Sequence, residues 1–237
     1  MNTYLICGYG IPESIATDGN YTTYLHTVFN TIFSQSATRA ATIIPTGGPS
    51  SCTPPYKGTE AEVIGTYLQS LINRPGVQDK TTLWNVVLED KSLSSLENLV
   101  FSKALIEKND LAGPITIFCE HTRVDRIQQF AQAIFQAQTV TVEGIDFDIS
   151  DNRYLDPEIL QRKEEAAIIE GLWTLANPER LARHHEFFQK KFAYLRQRER
   201  EGLTHTEAVT EWYKNEKKII QRIMPDHPLL KQLNGNE

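Results

Sequence analysis

The sequence predicts an α/β fold: a doubly wound, mostly parallel sheet with a helical C-terminal extension. Three observations carry this. Short apolar runs alternate with helix-periodic segments four times through the first 150 residues. One of those runs, PITIFC at 114–119, is almost wholly apolar, as a strand covered on both faces must be. After Pro157 the pattern is helical only. Strands that alternate with helices pair in parallel, because the helices serve as the crossovers.

Taken in order, TYLIC at 3–7 is a first strand that runs into the tight turn Gly8-Tyr9-Gly10. Residues 21–37 space Tyr24, Val28, Ile32 and Phe33 as one helix face. Residues 40–46 (AATIIPT) form the second strand, closed by Gly47-Gly48-Pro49. A loop rich in Ser, Pro and Gly covers 50–58, and a helix opens at Thr59 with Val63, Ile64, Tyr67, Leu68 and Leu71 on one face. The third strand is expected at 83–88, followed by a helix at 95–108, the fourth strand at 114–119 and a helix from about 123 to 137. The fifth strand covers 139–142, extended to Ile149. Helices near 157–176, 178–200 and 204–223 follow. Their breaks fall at Asn177-Pro178 and Gly202, and Pro225 and Pro228 end the last. The boundary expected is a Rossmann-like α/β domain over 1–150 and a helical extension over 151–237, packed on it.

A chain of 237 residues suffices for one such domain with a helical annex. Its formal net charge of −6 argues against a nucleic-acid-binding domain, which shows a basic face. The charge is unevenly spread. Residues 1–150 carry 9 Lys and Arg against 15 Asp and Glu, whereas residues 151–237 carry 15 of each, as solvated helices with paired faces do. Cys7, Cys52 and Cys119 form no CxxC pair and no zinc spacing, and an odd count suits a reducing compartment. The start MNTYLICGYG turns polar and glycine-rich too early for a signal peptide, and no apolar run has transmembrane length. The expected location is the cytoplasm, without membrane insertion.

In an open α/β sheet, ligands bind where strands hand over to helices. The stretch 88–98, LEDKSLSSLEN, has that layout: a strand end, a polar loop and a first helical turn. Glu89 closes an apolar strand, and a buried carboxylate is costly without a partner, so it is the leading site residue. Ser92, Ser95 and Asn98 lie beside it. Ser94 and Glu97 have capping-box spacing, which gives Glu97 a structural duty as well as a candidate acid–base role. Thr59 and Glu62 form a second box, leaving Glu60 in a helical first turn with no such duty.

The glycines are read less sharply. Gly8 and Gly10 begin like a dinucleotide fingerprint, but position 13 is Glu13 and no helix opens at once, so a tight turn is the better reading. Gly47 and Gly48 serve either as a tight turn or as a backbone cradle for an anion. After the fourth strand come His121, Arg123 and Arg126. The two arginines share a helix face, and guanidiniums there can hold a carboxylate or phosphate bidentately.

In this order, a GG turn, an E-A helix start, the loop E-x-x-S-x-S-S-x-E-N and a His/Arg cluster, the chain resembles the bacterial domain-of-unknown-function family that includes YdcF, SanA and ElyC. Gly47, Gly48, Glu60, Ala61, Glu89, Ser92, Ser95, Glu97 and Asn98 fall on that pattern, with Ser95 where Thr is usual. The family's H-x-x-R is altered: Arg123 stands three before Arg126 and His121 five before, which leaves open which of them fills the histidine's place. The resemblance covers about residues 2–145. It implies a Rossmann-like domain with a polar pocket at the strand tips. Members with an N-terminal membrane helix are tied to envelope maintenance; this chain, without one, looks like the soluble YdcF type.

The resulting expectation is a small-molecule protein whose site lies at the carboxyl ends of the strands. As an enzyme, a transferase or hydrolase, it would act on an anionic, nucleotide-like or S-adenosyl-type ligand. Glu89 and Glu97 would be acid–base or metal-holding groups, and Arg126 the anion clamp. The cofactor is unassigned, with S-adenosylmethionine or a nucleotide the leading types and a divalent metal left open. The alternative is a ligand-binding module without chemistry, linked to envelope metabolism.

Overall fold

The computed structural model describes residues 1–11, 14–50, 58–136, 138–146 and 157–230. The chain divides into two compact units, Met1–Asp148 and Ile149–Glu237.

The first unit is a five-stranded, all-parallel sheet. Its strands are β1 (Asn2–Cys7), β2 (Ala41–Thr46), β3 (Trp84–Val86), β4 (Ile115–Glu120) and β5 (Val140–Ile145), in the order β3-β2-β1-β4-β5. The helices between them are α1 (Gly19–Ser36), α2 (Glu60–Ile72), α3 (Ser95–Lys108) and α4 (Val124–Ile134). Right-handed crossovers place α1 and α2 on one face and α3 and α4 on the other. The packing agrees: α1 lies against α2, and α3 against α4. The central strands are buried on both faces, with Tyr4, Leu5, Ile6, Ile44, Ile117 and Phe118 at 0% exposure. That double burial is why their sequences read as apolar runs.

The boundaries differ from expectation at the sheet's edge and at the helix ends. β3 is only Trp84–Val86, after which Glu89 rejoins β2 through an isolated bridge to Thr46. The cause is Pro45. Val87 and Glu89 donate to the Ile43 and Pro45 carbonyls at 2.9 and 3.0 Å, but Pro45 has no N–H to return to the Val87 carbonyl, and the ladder lapses there. α4 starts one residue later than expected, behind a 3₁₀ turn at His121–Arg123. It ends at Ile134, and Ala137 lies outside the described residues. β5 ends at Ile145, and Ile149, to which it was expected to extend, is likewise outside them.

The second unit is helical throughout its described residues: α5 (Pro157–Thr174), α6 (Pro178–Arg200), α7 (His205–Lys214) and α8 (Glu216–Ile223). The single helix expected over 204–223 is two, broken at Asn215, whose N–H accepts the role of C-cap by bonding to the Glu211 and Trp212 carbonyls. Trp212, Phe187, Leu195 and Ile220 form its core, and Phe187 meets the Trp212 ring at 6.0 Å. Among the described residues no helix is long and apolar enough to cross a membrane.

Candidate functional site

β1 and β4 are neighbours, yet the chain leaves them toward opposite faces of the sheet. This is the topological switch point, beyond whose strand tips open α/β sheets have their ligand crevice. The turn after β1 is Gly8-Tyr9-Gly10, and Gly10 has φ +118°, open to glycine and strained for other residues. Tyr9 stacks on Tyr21 of α1 at 4.2 Å between ring centres. Below the turn, the Tyr24 hydroxyl lies 2.8 and 3.1 Å from the Cys7 and Phe118 carbonyl oxygens, with its one proton to share between them, and so ties β1 to β4.

Glu60, at the first position of α2, explains two of the glycines. A Cβ on Gly8 would fall inside van der Waals contact with its Oε2, and one on Gly47 would lie 2.5 Å from its Cβ. Both glycines make room for this buried carboxylate, which also accepts a hydrogen bond from Ser50 Oγ on Oε1. The Gly47 N–H donates to the Glu89 carbonyl at 2.9 Å and the Gly48 N–H to the Ser92 carbonyl at 2.6 Å. Of the two readings of Gly47-Gly48, these bonds favour the tight turn, because both N–H groups are engaged by the neighbouring loop.

Glu89 is buried, at 2% exposure, and its carboxylate closes its own loop. Oε1 accepts the Lys91 and Ser92 N–H groups at 2.9 and 3.0 Å, and Oε2 meets the Ser92 hydroxyl. The same hydroxyl lies 2.5 Å from Asn98 Oδ1. A hydroxyl has one proton and cannot donate to both oxygens. Turning the Asn98 amide so that its Nδ2–H donates to Ser92 settles this with Glu89 ionised; as the atoms stand, a proton on Glu89 settles it, with Glu89 donating to Ser92 and Ser92 to Asn98. Burial favours that form: it raises the Glu89 pKa from its ordinary value, against the opposing pull of the Ser92 and backbone hydrogen bonds.

Asn98 stands beside the Cys7 thiol and favours its ionised form. Burial pushes that thiol up to about 11, while the Arg123 and Arg126 charges pull the other way. Glu97, fully buried beside Asn98, accepts the Leu93 N–H at 2.6 Å, and its own N–H donates to Ser94 Oγ at 3.2 Å. Ser95 sits half-buried at the head of α3.

On the other side of the crevice, Arg123 Nη1 donates to the Gly8 carbonyl at 2.9 Å, and its Nε lies 3.6 Å from Glu120. Arg126 is buried in the first turn of α4, and its field reaches both Cys7 and Cys119. His121 stands apart. It is exposed and lies over Gly144 of β5, where a Cβ would come 3.1 Å from its Nδ1.

The structure thus joins Glu89, Ser92 and Asn98 in one network, with Glu97 alongside, and brings Gly8, Glu60 and Arg123 to the tips of the central strands. Gly10, Ser95 and His121 stand outside that network. Sequence reasoning missed Glu120. Its carboxylate is 2% exposed and accepts the Thr122 N–H and hydroxyl at 2.8 and 2.6 Å, as Glu89 does in its own loop. The signal was present, because each glutamate directly follows an apolar run in the sequence. Among the described residues no group of three or more His, Cys, Asp or Glu side chains is set to hold a metal ion. In comparisons with known proteins, no family model, no curated protein and no solved structure matches this chain.

Proposed function

We propose that the crevice between the tips of β1 and β4 binds a small molecule and that the chain is an enzyme acting on it, a transferase or hydrolase. One observation supports this above the others. The network Glu89–Ser92–Asn98 stands beside Cys7 at the end of β1, and Arg123 reaches the Gly8 carbonyl from the β4 side. A buried carboxyl whose pKa is raised above its ordinary value, at the head of a hydrogen-bonded chain, is a candidate for holding or passing a proton. Arg123 and Arg126 supply positive charge for an anionic or nucleotide-like ligand, and Glu60 and Glu97 supply acceptors for ligand hydroxyl or amino groups, as an S-adenosyl compound would need. The resemblance to the YdcF, SanA and ElyC family belongs to the same proposal, since its E-x-x-S…E-N loop is the loop that builds this network.

A second reading is a binding module without chemistry. What favours it is that both Glu89 oxygens are already engaged by its own loop.

The test is a thermal-shift screen of the full chain against nucleotides, S-adenosyl compounds, sugar phosphates and divalent ions, repeated on Arg126→Ala. A ligand at 100 times its Kd adds about 2.7 kcal/mol, roughly 5–10 °C for a chain of this size. A shift from one ligand class that Arg126→Ala abolishes supports the site. The absence of a shift from every class would sink it. With a binder in hand, Glu89→Gln separates the readings: binding kept with turnover lost marks the enzyme.

A further inference from the structure

The helical unit contains a buried polar cluster that the proposed site does not use. Glu170 of α5 is 5% exposed, and its Oε1 accepts from Thr174 Oγ1 at 3.2 Å and meets His184 Nδ1 of α6 at 2.7 Å. His227, from the segment that follows α8, places its Nε2 4.0 Å from the same oxygen. The other ring nitrogen, Nδ1, accepts the Leu229 N–H at 3.3 Å. A nitrogen that accepts carries no proton, so this bond fixes the tautomer: Nδ1 is bare and the Nε2–H faces Glu170. The ring is 2% exposed and lies 4.1 Å from that of Phe187. Met224, His227 and Leu229 are the buried residues of this segment, so the imidazole is its central anchor.

We propose that the segment Met224–Leu230 is an acid-released latch on the helical unit, with the His227 imidazole as its trigger. A proton on Nδ1 sets one N–H against another and breaks the bond to Leu229. It also adds a cation to a buried site where the nearest carboxylate oxygen, Glu170 Oε1, is already engaged by His184 and Thr174. The charged and titratable groups facing His227 are Glu170 from α5, His184 and Arg183 from α6, and Asp226 from its own segment, which pairs with Arg183. Glu170 and Asp226 favour a protonated ring, Arg183 and His184 oppose it, and burial outweighs all four, holding the group at about 4 against an ordinary 6.5. Between those values the open segment takes up a proton that the closed one refuses, so closure weakens by up to about tenfold per pH unit.

The test measures amide exchange of the 224–230 peptide in the full chain at pH 7 and pH 5, corrected for the intrinsic rate, for wild type and His227→Asn. The Asn amide oxygen can accept from Leu229 and cannot be protonated. The latch requires a loss of protection of about tenfold or more in wild type and none in His227→Asn. Constant protection in wild type, or an equal loss in the variant, overturns it. Should the variant be open at both pH values, the ring resonance of His227 in wild type decides. A titration midpoint that coincides with opening supports the latch, and one that does not overturns it.

Discussion

The Arg123 guanidinium donates to the Gly8 carbonyl oxygen at 2.9 Å, so a side chain that follows β4 closes on the backbone that follows β1. The same guanidinium faces Glu120, whose carboxylate is nearly inaccessible to water. Removing one member of such a set leaves a buried charge without its counter-charge, which costs more than the pair itself contributes. Arg123→Ala is expected to lower unfolding free energy by about 1–3 kcal/mol in urea titration. Arg123→Lys, which keeps the charge and loses the planar fork, should cost less. Equal losses in both variants would show that the fork, and not the charge, carries the effect.

Glu89 makes an opposite prediction. Its pKa in the fold lies above the ordinary 4.5, so its stabilising contribution is complete below about pH 4.5 and is lost as pH rises through the folded value. At pH 7 an ionised Glu89 therefore weighs against the fold. Gln keeps an oxygen for the Lys91 and Ser92 N–H groups and gives Ser92 a donor, which frees its hydroxyl for Asn98. Glu89→Gln should match or exceed wild type at pH 7, by up to about 1 kcal/mol, with the gap closing toward pH 4.5. Glu89→Ala should lose about 1–3 kcal/mol. Denaturant titrations at the two pH values check both, and a Gln variant as unstable as the Ala variant would refute the protonated chain.

Gly8 and Glu60 compete for one volume. Gly8→Ala places a methyl group against the Glu60 carboxylate, with Ile64 Cδ1 3.2 Å away. Overpacking of this kind costs about 1–3 kcal/mol. If the clash is with Glu60, Gly8→Ala in a Glu60→Ala background should cost little, and the double-mutant cycle should show a coupling of about 1 kcal/mol or more. Additive losses would place the strain in the backbone instead.

How much of this was legible depended on what each residue's neighbours were. β1, β2 and β4 were read directly, because strands covered on both faces leave unbroken apolar runs. β3 was overextended, because its apolar composition hides the effect of a proline on a different strand, Pro45. The break at Asn215 was missed because apolar residues continue on both sides of it, through Trp212 and Ile219. In the site, Glu89 stood out because no capping box accounts for it, yet Glu120 satisfies the same test and was passed over. The role of Gly47-Gly48 was beyond sequence reasoning: no local pattern reveals that their N–H groups find the Glu89 and Ser92 carbonyls, 42 and 44 positions further on.

Cys7 ends β1 and Cys119 is the penultimate residue of the adjacent β4, and burial raises both thiols, Cys7 to about 11. The thiolate is the nucleophile, and near pH 8 a thiol at 11 holds only about one thiolate in a thousand. Both are also sealed from solvent, at 1% and 0% exposure. Arg123 and Arg126 lean the other way, but burial is the larger influence on each thiol. Cys52 lies outside the described residues, so it is best removed from the measurement. A Cys52→Ala chain should show no fast reaction with an aromatic disulfide reagent at pH 8, and two equivalents in denaturant. A rapid native reaction would mean that the floor of the crevice is open and its thiols are poised for chemistry, contrary to the burial that isolates them here.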